Sequence, residues 1–318
     1  MLREYGLAKT TFSRVDKMLP GSSEVPRALG LIARREGHWA ESIAYFEQAL
    51  TLDPRNEELL ELMAETYTML RRFSTALKLY DRVLDITPND PDVIASKTCI
   101  YQAQGNLHEA AKLLENVNTQ TNSDNVFATM ITQLRLERNY GEAVRLLQAR
   151  LAQFHFDSQY SKAVCQISLA FTQGLAGDSA GAKVTAAQAR NTLEQLFRDQ
   201  PDNQYFAAAL SQAYAVMGEK DSALKAAEQA IVLLPSAKDW KSGPSFEENL
   251  ALIQTIVGEK SRAIDALAQL LKTPAESVYK GMEVVTPALL RLNPIWDPLR
   301  GDPAFQKLCE EKQPPATP

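Results

Sequence analysis

Three histidines and three cysteines are the side chains here best suited to hold a metal or act as nucleophiles. A zinc site needs such ligands at short spacings such as CxxC, so that four of them can converge. Cys99, Cys165 and Cys309 lie far apart, and His38, His108 and His155 fall in different segments. The spacing predicts no metal centre and no disulfide framework, and the thiols read as reduced side chains of a cytosolic protein. The acidic pairs Glu57-Glu58 and Glu310-Glu311 could do acid–base work only in a pocket that drives their pKa values apart. On helix faces they read as solvated, and the basic steps Arg34-Arg35 and Arg71-Arg72 read as solvated or paired with nearby Glu. No glycine-rich phosphate loop and no HExxH, GxSxG or HRD motif occurs. No catalytic residue and no cofactor is expected, and the chain reads as non-enzymatic.

The elements that would position any site are helical. The 318 residues include 45% hydrophobic and 23% charged side chains, with only 14 glycines. Ala, Leu, Glu and Gln dominate long stretches, and β-branched residues rarely cluster. This length exceeds a single compact core and implies two domains or an elongated repeat array. A net charge of -5 opposes a sequence-independent nucleic-acid binder, which needs a basic stripe. No apolar run approaches the roughly 20 residues that span a bilayer, and no signal-peptide core opens the sequence. A cytoplasmic location without membrane contact is the expectation.

Internal repeats decide the architecture. Pro20, Pro54 and Pro88 are 34 residues apart, each after an apolar helical run. Gly37, Arg71 and Gly105 share that period, as do Phe46, Tyr80 and Leu114, and Ser42, Ala76 and Ala110. Small residues let two helices approach, glycine relieves the turn between them, and proline stops the second helix. Further units follow at Leu134–Leu147, at Leu169 to Ala182, at Tyr214 to Pro235 and at Leu250 to Leu267. The spacing from Gly177 to Gly218 is 41 and from there to Gly258 it is 40. The first excess, around Ala187–Arg198, keeps helical periodicity and predicts a longer second helix. The second, Ala237–Pro244, predicts a loop with Trp240 on the solenoid edge.

These residues resemble the tetratricopeptide repeat, most closely over Val25–Pro54 with Leu29-Gly30, Gly37, Trp39, Phe46, Ala49 and Pro54. The resemblance implies an all-α, right-handed superhelical α-solenoid of helix-turn-helix repeats. On that frame, residues 1–22 are a second helix whose first-helix partner is missing, as if the chain began inside a longer protein. Residues 23–157 are four repeats, and 158–203 a fifth with an extended second helix. Residues 204–273 are the sixth and seventh, with a loop near 237–245, then a capping segment at 274–312 and a loose tail at 313–318. In the cap, Asp297-Pro298 and Asp302-Pro303 each predict a helix start, with Trp296, Leu299, Phe305 and Leu308 closing the apolar face. This ending, with the long helix before Pro201, resembles the C-terminal repeat region of bacterial signalling proteins. In that group the array follows a protein-kinase, nucleotide-cyclase or DNA-binding domain, which implies a regulatory or interaction role.

A partner protein or peptide would lie along the concave surface, where first-helix side chains not used in packing project at helical spacing. The candidate contacts are Arg27 and Arg34, then Glu58, Glu61, Glu65 and Thr68. Gln102, Thr132 and Arg135 follow, and then Phe171, Tyr205 and Gln212. The groove thus runs from arginines through a Glu stripe to an apolar, aromatic stretch. Arg27 and Leu31 stand where the family's carboxylate clamp requires Lys and Asn, so that mode is not expected. A basic helix or extended segment against Glu58, Glu61 and Glu65 fits better. An RNA-binding helical repeat is the alternative, disfavoured by the acidic stripe. No small-molecule substrate is indicated.

Overall fold

A computed structural model of the chain describes residues 5–18, 21–277 and 284–312, and every described element is helical. Pro20 and the tail 313–318 lie outside the described residues, as do residues 278–283 of the expected cap. A lone helix, α1 (Tyr5–Met18), precedes seven hairpins that stack into a right-handed superhelical α-solenoid. The first four hairpins are α2 (Glu24–Arg35) with α3 (Trp39–Leu52), α4 (Glu57–Met69) with α5 (Phe73–Ile86), α6 (Pro91–Ala103) with α7 (Leu107–Leu114), and α8 (Asp124–Leu136) with α9 (Tyr140–Gln153). The next three are α10 (Gln159–Leu175) with α11 (Ser179–Asp199), α12 (Gln204–Met217) with α13 (Lys220–Leu233), and α14 (Gly243–Ile256) with α15 (Lys260–Leu270). After these come α16 (Pro287–Leu292), a 3₁₀ segment (Pro294–Leu299) and α17 (Pro303–Glu310).

Five of the seven first helices, α4, α6, α8, α10 and α12, begin on a side-chain cap. Asn56 Oδ1 accepts from Leu59 N–H at 3.0 Å, Asp90 Oδ1 from Asp92 N–H at 2.9 Å and Ser123 Oγ from Val126 N–H at 3.2 Å. Each cap satisfies an N–H group that the helix itself leaves unpaired. Each first helix ends on a left-handed residue: Gly37, Arg71, Gly105, Arg138, Gly177, Gly218 and Gly258 all have positive φ. The residue after it donates back to the helix in a Schellman bond, as from Arg72 to Tyr67 O at 2.8 Å and Glu259 to Gln254 O at 2.7 Å. Five positions past the left-handed residue stands a small one: Ser42, Ala76, Ala110, Ala143, Ala182, Ala223 or Ala263, each no more than 3% exposed. That side chain sets how closely the helices of a hairpin approach. The 21-residue α11 extends past the ordinary hairpin length, and α7, with 8 residues, gives way early to turns capped by Asn118 and Thr121.

The superhelix brings its last third back onto the turns of its first half. Trp240 N–H donates to Arg35 O at 2.8 Å, and its ring lies so near Gly37 that a Cβ there would fall 2.8 Å from it. Arg71 donates to Leu270 O at 2.8 Å, Val285 O at 3.1 Å and Thr273 O at 3.2 Å. Thr286 Oγ1 donates to Ala103 O at 2.6 Å, and Ala288 and Leu292 pack on Gly105. Arg138 binds both oxygens of Asp297, at 2.7 and 3.0 Å. The four turns are therefore met in chain order by the returning segment. Asp297-Pro298, expected to start a helix, lies inside the 3₁₀ segment instead, where Asn293 is the cap. The Asp297 carboxylate is directed to Arg138 and Arg300, which hold its pKa below the ordinary value against the opposing effect of burial. Trp296, Leu299, Phe305 and Leu308 pack with Leu252, Ile264, Leu267 and Leu271 of the seventh hairpin.

Arg71 is 8% exposed, and its partners are backbone carbonyls at the end of α15 and beyond. Burial lowers its pKa to about 10, which still leaves it charged at neutral pH. Replacing it by methionine removes the side-chain donor from Thr273 O and Val285 O, while Leu270 O keeps the Thr273 N–H, at an expected cost of about 3 kcal/mol in urea unfolding. Arg55→Ala, on an exposed position, is expected to stay within about 0.5 kcal/mol.

Candidate interaction surface

The candidate residues separate into three places. The first is a charged wall on α2 and α4. Arg27 Nη1 reaches Glu58 Oε1 at 2.7 Å and also pairs with Glu24. Arg34 is 3% exposed and donates to Glu65 Oε2 at 3.3 Å, Thr66 Oγ1 at 3.2 Å and Leu62 O at 3.4 Å. Its pKa is drawn down by burial while Glu65 opposes the shift. Arg34 is thus a link between neighbouring first helices and offers little surface to a guest. Glu61 is half-buried, and its carboxyl is pushed up to about 6, first by desolvation and then by the negative charges of Asp90, Glu65, Glu57 and Asp92. A partner cation placed there would relieve an existing repulsion.

The second place is packed interior. Thr68, 1% exposed, donates its hydroxyl to Ala64 O at 2.8 Å. Gln102, also 1% exposed, donates from α6 to Gln133 Oε1 at 3.0 Å and Thr129 O at 3.3 Å on α8. Both are buried and present no surface, and Gln102 lies where adjacent first helices meet. The helical spacing that marks a groove position also marks the seam between units, and here the seam wins.

The third place is a chamber of about 490 Å³, lined by Thr132, Arg135, Phe171, Tyr205 and Gln212 together. Arg135 donates to Thr172 Oγ1 at 2.9 Å and to Ser168 O at 2.6 Å, tying α8 to α10. Gln212 donates to Asn249 Oδ1 at 2.8 Å, tying α12 to α14. Phe171 packs among residues of two apolar clusters, and Tyr205 meets Phe246 edge-on at 5.4 Å. Arg150 lies between Phe154 and Phe127, 3.8 and 4.3 Å from the ring centres, and pairs with Asp124 at 2.8 Å. Burial pushes both the Cys165 thiol and the Tyr160 phenol up to about 12, so neither ionises at neutral pH.

Sequence reasoning missed the opposite wall of this chamber, which comes from Ser245, Leu252, Glu276, Ser277, Asn293 and Ile295. Its trace in the sequence is indirect: arginines occupy two turn positions, 71 and 138, that favour glycine. His38 stands beside Glu36 and Glu41, and no group of three or more His, Cys, Asp or Glu able to hold a metal occurs among the described residues. No described helix is long and apolar enough to cross a membrane.

Known proteins resemble this chain in parts. The family described as "Tetratricopeptide repeat" matches residues 33–98. The photosystem I assembly protein Ycf3 of Prochlorococcus marinus is 29% identical over 110 residues, 32% of this chain and 64% of that protein. Ycf3 of Synechococcus sp. is 30% identical over 83 residues, 25% of this chain and 48% of the relative. The chain thus spans less than two thirds of the length of these curated relatives. The crystal structure of a tetratricopeptide repeat protein from Parabacteroides merdae superposes with a TM-score of 0.54 at 18% identity, covering 79% of this chain and 93% of that one. That likeness concerns the fold. Residues 33–98 match the tetratricopeptide repeat family, and the described residues fold as an α-solenoid of helix-turn-helix pairs.

Proposed function

We propose that this chain is a non-catalytic protein-interaction module that holds a basic segment of a partner protein against the wall formed by α2 and α4. The observation that carries this reading is Glu61, a half-buried carboxylate among four further acidic neighbours, with its pKa raised to about 6. A lysine or arginine from a partner would lower that repulsion, whereas an RNA phosphate would add to it. Exposed ion pairs contribute only about 0–1 kcal/mol each, so apolar contacts must supply much of the affinity. The ending from Leu289 to Leu308, with its resemblance to the repeat regions of bacterial signalling chains, supports a regulatory role in a larger cytoplasmic protein.

Crosslinking with the native full-length gene product tests the reading. Glu58→Lys combined with Glu61→Lys is expected to weaken capture of the partner at least about tenfold, since like charges now face each other. Unchanged capture by that variant would remove the acidic wall from the interface.

The sign of the pH dependence is fixed by the direction of the Glu61 shift. The folded state holds this proton up to about pH 6, and the unfolded chain up to the ordinary 4.5. Above both values the ionised carboxylate destabilises the fold, and the penalty fades as pH falls between them. Glu61→Gln is therefore expected to raise stability at about pH 8, by about 1 kcal/mol at most after solvent screening. The gain should vanish near pH 4.5 when unfolding is followed across pH. Partner affinity is expected to fall as pH drops through 6, because protonated Glu61 no longer attracts a cation.

A further inference from the structure

We propose that the chamber between the fourth and seventh hairpins is a binding site for a compact, uncharged, largely apolar organic molecule, distinct from the partner segment assigned to the acidic wall. Its volume of about 490 Å³ falls within the range of about 300–1,000 Å³ typical of small-molecule sites. Helices α8, α10 and α12 form one side, and α14 with the segment after α15 forms the other. The returning segment thus narrows a trough into a partly open chamber, whose volume suits a compact guest. Phe127, Ile131, Val164, Ile167, Phe171 and Leu252 supply an apolar lining.

The charges at the wall argue for a neutral guest. Arg150 is paired with Asp124, Glu276 with Lys241 at 2.6 Å, and Arg135 is engaged by Thr172 and Ser168. An ionised guest would have to break one of these arrangements or be buried without a partner, and both are costly. Neutral hydrogen-bonding groups remain. Gln212 uses its Nε2 on Asn249, while its Oε1 and the Thr132 hydroxyl accept no hydrogen bond from the described residues. A hydroxyl or amide N–H on the guest could donate to either. The raised pKa values of Cys165 and Tyr160 fit a poorly hydrated space.

The test uses the full chain and three probes that differ only in the head group: 1-decanol, decanoate and decylammonium. Titration calorimetry near neutral pH is expected to show saturable 1-decanol binding, at least about tenfold tighter than either ionised probe. Ala128→Phe, from a half-buried position on the wall, is expected to weaken 1-decanol at least about tenfold by filling the space. Val164→Asp, which adds a charge to the lining, should do the same, with helical circular dichroism retained in both variants. Capture of the protein partner by Ala128→Phe should match the unaltered chain, which separates this site from the acidic wall. Absence of binding by all three probes would overturn the proposal. So would a preference for decanoate, or equal binding by the unaltered chain and both variants. If 1-decanol fails while uncharged apolar peptides selected by phage display bind and are blocked by Ala128→Phe, the guest is polypeptide and the proposal falls.

Discussion

Each hairpin depends on one residue in the left-handed region at the end of its first helix. A right-handed helix cannot reverse within two residues unless some backbone takes positive φ, and the Schellman bond fixes where that happens. Once it is fixed, the residue five positions later always faces the first helix. It must be small, and Ser42, Ala76, Ala110, Ala143, Ala182, Ala223 and Ala263 all are. In the first hairpin the approach is close enough that a Cβ on Gly30 would lie 2.7 Å from the Phe46 ring. Near-identical hairpins stacked side by side accumulate a constant rotation, and a curved superhelix follows from that repetition.

The same turns carry the closure of the superhelix. Glycine is the comfortable residue at positive φ, and an L side chain there costs about 1–2 kcal/mol. Arg71 and Arg138 accept that cost at φ of 57° and 60°. Each has a compensating interaction. Arg138 takes Asp297 in a two-point pair. Arg71 supplies donors to carbonyls at the C-terminal end of α15, where a helix leaves its last C=O groups unpaired and where its dipole favours a cation. A buried arginine with carbonyl partners is therefore an external cap for α15 and a tie between the second and seventh hairpins.

How much of this was readable in the sequence follows from the range of each interaction. The period marked by Gly37, Arg71 and Gly105 with Ser42, Ala76 and Ala110 is local, and it led directly to the hairpins. Arg138 kept the turn geometry without its glycine, so the fourth unit showed more weakly, through Leu134, Tyr140, Ala143 and Leu147. Asp297-Pro298 carried a correct local signal for a helix start, overridden because the carboxylate had partners 159 residues away in Arg138 and nearby in Arg300. Thr68 and Gln102 share the spacing of groove positions, yet both are buried, Gln102 against the neighbouring first helix α8. Contacts such as Arg71 to Val285, 214 residues apart, leave no periodic trace. The chamber therefore stayed hidden even though Thr132, Arg135, Phe171, Tyr205 and Gln212 were all picked out for one wall of it.

The acidic wall and the chamber follow opposite electrostatic rules. On the wall, Arg27 and Arg34 pair with Glu58 and Glu65, while Glu61 remains among negative neighbours and its pKa rises. In the chamber, the ionic groups at the lining are met by charges or oxygen atoms of the same chain. Arg34 belongs to the wall. It holds Glu65 directly, and Glu276, which lines the chamber and pairs with Lys241, adds to the negative field at its guanidinium. Because Arg34 is almost fully buried, water screens that field poorly, and charge interactions there act over longer distances than at the surface. Burial is nevertheless the largest influence on Arg34, and Glu65 and the more distant Glu276 only oppose it.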